Sequence, residues 1–376
     1  EAPVSWHVRL TASRPNRHAG DSLFRGGGVT ATVTAMVSVS WPEVFSTILE
    51  GKHLDRQTAY AVMTSVMSGE ATEAQIAALL TALTAKGETA TEMTGFVEAM
   101  LGAAHLVAVD EPVVDIVGTG GDRSGTFNIS TTAAFVAAGA GVKIATHGTR
   151  AASSATGSAD LLESHGIALE LSPEETVEMI RRTGFGFFFA PRYHPAMRYA
   201  GPVRRQLGFR TVFNFLGPLC NPARARRYAL GVSDPRMAEL MIQVLQNLGA
   251  ISAFVFYGED GLDELTTTGP SFIYRLRDGE ITHAEFTPED FGVARARLQD
   301  LLGGDPETNV AITREVLSGR GGAKRDITLV NAAPAIVAGG LAEGFVDAVA
   351  IAADAIDSGR AAAVLESAVQ FSNEKR

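Results

Sequence analysis

Beyond residue 40 the apolar positions fall at helical spacing. Ser40-Trp41-Pro42-Glu43 reads as a capping box, and Trp41, Val44, Phe45, Ile48 and Leu49 then share a helix until Gly51 ends the run. A second helical pattern fills 55–67. Thr72 with Gln75 caps a third, carrying Ile76, Leu79, Leu80 and Leu83; Thr89 with Glu92 caps a fourth, carrying Phe96, Met100 and Leu101. Four short helices in a row predict a small helical unit. From residue 113 the texture changes to short β-branched runs at 113–117, 142–145, 229–232 and 253–257, separated by Ala-rich helical stretches. That alternation predicts an α/β sheet with covering helices. The stretch 172–222 interrupts it with helix signals and prolines, and 331–369 is again Ala-rich helix. There is no internal repeat and no heptad pattern.

Residues 1–35 read differently. Arg9, Arg14, Arg17 and Arg25 stand against only Glu1 and Asp21, and Pro3, Pro15 and Gly26-Gly27-Gly28 break any period. The segment reads as a non-native, mis-started or disordered extension ahead of a natural start at Met36, with an organelle transit peptide as the rival reading. The chain has 376 residues, enough for two structural units, and with 46% hydrophobic and 20% charged residues it can bury a sizeable core. A net charge of −10 opposes non-specific attraction to nucleic acid or an anionic membrane. A polyanion would then need a local positive site or a metal. Cys220 is the single cysteine, which excludes an intrachain disulfide framework and fits a reducing, cytoplasmic setting. No apolar run approaches the roughly 18 residues that would span a bilayer.

The run 113–117 leads into Gly118-Thr119-Gly120-Gly121-Asp122-Arg123-Ser124-Gly125, and a helical pattern follows Asn128-Ile129-Ser130-Thr131. A strand, a glycine loop and a helix in this order turn backbone N–H groups toward one centre and add the positive end of a helix dipole, an arrangement suited to phosphate. No Gly-Lys-Ser/Thr follows, so this is not a Walker loop; Arg123 occupies the third glycine of a dinucleotide fingerprint. The alternative is a flexible turn with Ser130 or Thr131 as helix cap. Asp122 is awkward beside an anion unless it faces ribose hydroxyls or a metal-bound water.

These residues resemble the donor loop of the anthranilate phosphoribosyltransferase family. The resemblance continues in His147-Gly148, Arg150 to Ser154, Gly157 to Asp160, Phe189 to Pro191, His194 to Met197, Arg204-Arg205, Leu207-Gly208, Arg210-Thr211, Phe213-Asn214, Leu216 to Leu219 and Asp260 to Glu264, and runs from about 41 to 370. It implies a nucleoside-phosphorylase-type fold: a small all-helical domain over 36–110, joined by helices from about 200–215, and a larger α/β domain with a mixed central sheet over 111–199 and 216–376. It implies transfer of a phosphoribosyl group from phosphoribosyl pyrophosphate to anthranilate, in tryptophan biosynthesis, by a homodimer. Donor contacts would come from Gly118, Gly121, Asp122, Thr126, Asn128, Ile129, Ser130, Thr131, Thr146, His147, Gly148, Arg150, Ser153, Ser154 and Ser158. Acceptor contacts would come from Gly118, Thr149, His194 and Arg204. Two Mg²⁺ ions would be held with the help of Ser130, Asp263 and Glu264. Without the resemblance, Asp263-Glu264 is an acidic pair in a loop, most simply solvated.

No side chain is expected to serve as a covalent catalyst; catalysis rests on positioning and electrostatics. His147 and His194 are as readily backbone anchors as proton carriers, and Cys220 reads as a small buried residue. Two positions depart from the family pattern. Thr146 stands where the family has lysine and Thr149 where it has asparagine, so one cation and one amide are missing. Arg150, Arg123 or Lys143 could compensate. Three readings follow: an anthranilate enzyme, a phosphoribosyltransferase with an altered acceptor such as a substituted anthranilate, or a catalytically weak homologue binding phosphate or nucleic acid. A nucleoside phosphorylase of the same fold is a further alternative.

Overall fold

Side chains fix where the first helices begin. The computed structural model describes residues 7–8, 39–151 and 156–375. In it α1 spans Trp41–Leu49, α2 Arg56–Ser68, α3 Glu73–Lys86 and α4 Ala90–Gly102. Asp55 accepts from the Thr58 N–H, and Thr72–Gln75 and Thr89–Glu92 form complete capping boxes. The box expected at Ser40 is not made. Its side chain caps nothing, and Pro42, which has no N–H to cap, starts α1 by its fixed φ instead. Helices α2 and α4 approach closely at Gly95, where a Cβ would lie 2.4 Å from the Arg56 carbonyl oxygen. Glu92, fully buried, closes the unit by accepting from Leu54 N and Lys86 Nζ at 2.9 and 2.8 Å.

The strands are β1 His7–Val8, β2 Val113–Gly118, β3 Lys143–Gly148, β4 Phe185–Phe189, β5 Arg227–Gly231, β6 Ser252–Gly258, β7 Ser271–Arg277 and β8 Glu280–Phe286. They form one mixed sheet in the order β1-β8-β7-β6-β5-β2-β3-β4. Strands β4, β3, β2, β5 and β6 run parallel, whereas β6, β7, β8 and β1 alternate in direction. From β2 the chain builds outward through β3 and β4, then returns to place β5 and β6 on its other side. The switch point lies between β2 and β5, whose last residues Gly118 and Gly231 pair. Open α/β sheets hold their ligands outside such strand ends.

Helices α5 Ile129–Gly139, α6 Ser158–Ser164 and α7 Pro173–Thr183 are followed by α8 Ala190–Tyr193, α9 Met197–Leu207, α10 Phe213–Leu216 and α11 Pro235–Asn247. The chain ends with α12 Pro306–Leu317, α13 Ala323–Ala338, α14 Phe345–Asp357 and α15 Arg360–Glu374. The single helical stretch read at 331–369 is thus cut into three, by Gly339-Gly340 and by Gly359 in the left-handed region. Side-chain alternation sorts the core: Val114, Ile116 and Ile144 face α5 and α13–α15, while Val113 and Ala145 face the side continuous with the helical unit. Helix α9 returns to that unit, and the Tyr199 ring fills the space where Gly69 has no Cβ.

Strand β4 and the β7–β8 hairpin are absent from the sequence reading. The hairpin turns at Asp278-Gly279, both with positive φ, a two-residue turn the sequence does signal. Residues 1–35, read as an extension, lie outside the described residues apart from His7–Val8, whose backbone pairs with His283 and Thr282 at the sheet edge. Among the described residues no helix is long and apolar enough to cross a membrane.

Candidate active site at the ends of β2 and β5

Two glycines admit an acidic loop to the strand ends. A Cβ on Gly231 would lie 1.7 Å from the Asp263 carbonyl oxygen, and one on Gly118 2.5 Å from Asp263 Oδ2. Asp263 therefore lies directly over β2 and β5, where its Oδ2 accepts the Gly120 N–H at 2.6 Å. Gly120 and Gly121 both sit in the left-handed region, with φ of 66° and 81°. Asp122 turns back on the loop and accepts from Ser124 Oγ at 2.8 Å, while Ser124 Oγ lies 3.1 Å from Thr126 Oγ1.

The neighbouring Glu264 accepts the Ser130 N–H at 3.0 Å in the first turn of α5. The helix starts at Ile129, so neither Ser130 nor Thr131 caps it, and Asn128 at the cap position makes no capping bond. Asn128 instead donates Nδ2 to Thr156 O and accepts from Asn309 Nδ2, each at 3.0 Å. It holds the polypeptide after β3 to the first turn of α12.

Asp263 and Glu264 are nearly buried, and no cation pairs with either among the described residues. Burial, followed by repulsion from Asp122, pushes the Asp263 carboxyl up to about 6. Burial, followed by Asp263, raises Glu264 well above the ordinary carboxylate range. Crowded, desolvated carboxylates without a counter-ion beside a serine hydroxyl form a hard-oxygen donor set. Among the described residues no three His, Cys, Asp or Glu side chains close a full cage, an open arrangement that suits Mg²⁺ shared with water and phosphate. The residues present therefore fit the ion.

The remaining predicted residues divide. Thr146 is buried and donates its hydroxyl to Ile116 O at 2.6 Å. His147 is sealed in: Nε2 reaches Gly217 O at 2.9 Å and Nδ1 lies 3.0 Å from Asp115 Oδ2. Burial pushes the His147 imidazole down, but the Asp115 charge and these contacts outweigh it, so the net shift is upward. His194 donates Nε2 to Cys220 O at 2.8 Å, and burial, then the neighbouring His147, holds it down at about 4. Both histidines anchor backbone. Cys220 is buried, and burial alone drives its thiol far up, which removes it as a nucleophile. Gly148 leaves room for Ser158 Oγ, which a Cβ would meet at 2.4 Å. Thr149 is exposed and donates to Arg150 O. Ser153 and Ser154 lie outside the described residues.

Of the three cations that could compensate for a lysine at 146, two are engaged elsewhere. Lys143 starts β3 at the opposite end and donates to Ile180 O and Arg181 O. Arg150 is bound to Asp160 and Glu163. Arg123 is exposed on the loop with positive φ and makes no ion pair among the described residues. Arg204 is different: it is half-buried over the Phe213 ring at 5.4 Å and has no carboxylate partner among the described residues, whereas its neighbour Arg205 is exposed. Burial lowers its pKa. Sequence reasoning missed Ser233 and Asn309 and left Arg210 without a role.

Known proteins resemble this chain over most of its length. A glycosyl transferase family helical bundle model matches residues 42–104, and the a/b domain model of a glycosyl transferase family matches 110–362. An anthranilate phosphoribosyltransferase of Chloroflexus aurantiacus is 51% identical over 321 residues, 85% of this chain and 95% of that protein. The chain belongs to the anthranilate phosphoribosyltransferase family. Within that family, the crystal structure of the Thermus thermophilus enzyme aligns with a TM-score of 0.83 at 44% identity, over 88% of this chain and 99% of that one. The Saccharomyces cerevisiae enzyme in complex with PRPP and Mg aligns with a TM-score of 0.82 at 27% identity, over 90% and 99%.

Proposed function

We propose that the chain transfers the phosphoribosyl group of phosphoribosyl pyrophosphate to the amine of anthranilate, giving N-(5-phosphoribosyl)anthranilate and pyrophosphate, a step of tryptophan biosynthesis. The observation that carries this reading is the buried, unneutralised Asp263-Glu264 pair seated on the glycine loop at the switch point of the sheet. Asp263, Glu264 and the Ser130 hydroxyl would hold Mg²⁺, which when bound offsets the charge of the diphosphate. Two ions, a homodimer and a cytoplasmic setting are part of the same reading, the first two supported by the family resemblance and the last by a single, buried free thiol.

The chain's own groups then act by placement. Loop N–H groups left open by the bonds to Asp263, Glu264 and Gly231 O surround the donor's phosphates together with the N-terminus of α5. The bond from ribose C1 to the pyrophosphate oxygen breaks, that oxygen keeps the electron pair, and the anthranilate nitrogen bonds to C1 from the opposite face and loses a proton. The Arg204 guanidinium, half-buried and without an acid of its own, holds the acceptor's carboxylate in a fork and so aims the amine. Both histidines are committed to backbone carbonyls, so neither is the base. Phosphoribosyl pyrophosphate, Mg²⁺ and anthranilate should give equimolar phosphoribosylanthranilate and pyrophosphate, read as loss of anthranilate fluorescence. Phosphorolysis of thymidine with no turnover of anthranilate would falsify the reading.

A substituted anthranilate is the second reading, favoured by one observation: Thr149 spends its hydroxyl on Arg150 O, leaving no side-chain donor there for an acceptor. Rates with anthranilate and ring-substituted anthranilates, for the natural protein and for Thr149→Asn and Thr146→Lys, decide between the two. Unchanged discrimination in Thr149→Asn removes the second reading.

A further inference from the structure

Arg210 lies between α9 and α10, six residues beyond Arg204. Its Nη2 donates to Ser233 Oγ at 2.8 Å, and that hydroxyl donates in turn to Gly120 O at 2.8 Å. The Ser233 N–H reaches Thr119 Oγ1 at 3.1 Å. The Gly120 carbonyl is therefore held toward the segment after β5, with the Gly121 N–H on the opposite side of their planar peptide, while the Gly120 N–H stays on Asp263. The guanidinium stacks 4.9 Å from the centre of the Phe215 ring. A Cβ on Gly121 would rest 3.7 Å from its central carbon, so glycine leaves the cation open to the loop.

Charge separates Arg210, like Arg204, from the ten arginines that carry a carboxylate partner. In this acidic chain Arg56, Arg150, Arg181, Arg236, Arg277, Arg295, Arg297, Arg320, Arg325 and Arg360 each pair with a carboxylate. Arg210 pairs with none among the described residues, and its buried Nε has no hydrogen-bond partner. Asp234 feels its charge, but that carboxylate is engaged by Arg236. A partly desolvated guanidinium without a counter-ion is costly to keep unless a ligand's charge completes it.

We propose that Arg210 is a positioning residue of the donor site: through Ser233 it holds the Gly120-Gly121 turn in its anion-cradling form, and it lends that turn the positive charge that Thr146 does not supply. The inference rests on the donor assignment above. It also links the two halves of the site, because Arg204 and Arg210 stack on Phe213 and Phe215 of one short helix, α10.

The test is calorimetric titration of inorganic pyrophosphate with Mg²⁺ into the full chain, beside steady-state KM values for both substrates. Arg210→Gln should weaken pyrophosphate about tenfold or more, the size of a lost charge-assisted hydrogen bond. It should raise the donor KM in parallel and leave the anthranilate KM within about twofold. Arg204→Gln should do the reverse. Ser233→Ala should show a smaller loss on the donor side, and adding it to Arg210→Gln should change little further. Thr146→Lys introduced into Arg210→Gln should recover part of the pyrophosphate affinity. Equal pyrophosphate affinity in Arg210→Gln and the natural protein overturns the inference alone. So does a loss that falls evenly on both KM values with a lowered melting temperature. A natural chain that binds no pyrophosphate overturns the donor assignment and the inference together. Should Arg210→Gln fail to fold, Ser233→Ala decides, and unchanged pyrophosphate affinity in that variant overturns the inference.

Discussion

His147 Nδ1 lies 3.0 Å from Asp115 Oδ2, and both side chains are buried beneath the strand ends. The other ring nitrogen reaches Gly217 O, and the Asp115 charge favours the protonated ring. Its folded pKa is raised, so its contribution to stability is fully present below the unfolded value of about 6.5 and fades as pH rises through the folded value. Asp115→Asn removes the carboxylate that faces the buried ring. We expect it to lower unfolding free energy by about 3–5 kcal/mol, the usual cost of breaking a buried pair, measured by urea denaturation at pH 6. A loss below about 1 kcal/mol would show that the pair does not hold this region.

Two other histidines act in the opposite direction. His165 and His194 are each held down at about 4, first by burial, then by Arg314 and His147 respectively. Their neutral forms favour the fold, so the stability they contribute is present above about 6.5 and is lost as pH falls toward 4, on the order of 3 kcal/mol each. His165 has no hydrogen-bond partner on either nitrogen among the described residues. Replacing it with an apolar side chain costs no hydrogen bond and removes one proton-uptake site. His165→Leu should flatten the acid limb of the urea midpoint between pH 6.5 and 4 without lowering the midpoint at pH 7. A steeper limb would contradict the assignment.

The helical unit was legible because its signals are local. Asp55, Thr72 and Thr89 act within three residues of the bonds they make, and helix faces repeat within a turn. The parallel strands were legible as buried β-branched runs. Strand β4 was not, because Phe185–Phe189 lies among the helix and proline signals of 172–222, and β7 and β8 were not, because half-buried strands carry no continuous apolar run. In the site, the glycine loop and the acidic pair could be read from residue type and order. The polar links Arg210–Ser233 and Asn309–Asn128 span 23 and 181 positions and follow no period, so only the fold brings them together. The expectation that Lys143 could stand in for a missing lysine failed for a related reason: spacing along a strand does not say which end of the sheet holds the site.

Gly231 tests the seating of the acidic loop. An alanine methyl there would have to displace the Asp263 backbone, since the contact is with a carbonyl oxygen rather than a flexible side-chain end. Overpacking of this kind costs about 1–3 kcal/mol in stability. The larger effect should fall on activity, because a displacement near 1 Å at a catalytic group costs about a hundredfold. Gly217→Ala, where nothing lies within 4 Å of the new methyl, serves as the control and should keep its activity within about threefold. Comparable activity in the two variants would mean that the position of Asp263 is not what the reaction requires.

Asn309, almost wholly buried, takes the Gly304 N–H on Oδ1 at 2.9 Å and gives Nδ2 to Asn128 Oδ1 at 3.0 Å. Asn128 in turn holds Thr156 O, so one amide on α12 braces the loop before α6. Asn309→Ala leaves the half-buried Gly304 N–H and Asn128 Oδ1 without these partners, at a cost of about 1 kcal/mol for each. Asn309→Asp keeps the acceptor for Gly304 N but sets a carboxylate against Asn128 Oδ1, so the amide must turn over and lose its bond to Thr156. Both variants should raise the donor KM, and the aspartate should be the worse of the two at pH 8 and closer to the alanine at pH 5, where a buried carboxyl takes up its proton and donates again. Steady-state rates at the two pH values check this. An aspartate variant with natural donor KM at pH 8 would show that the amide's direction carries no information for the site.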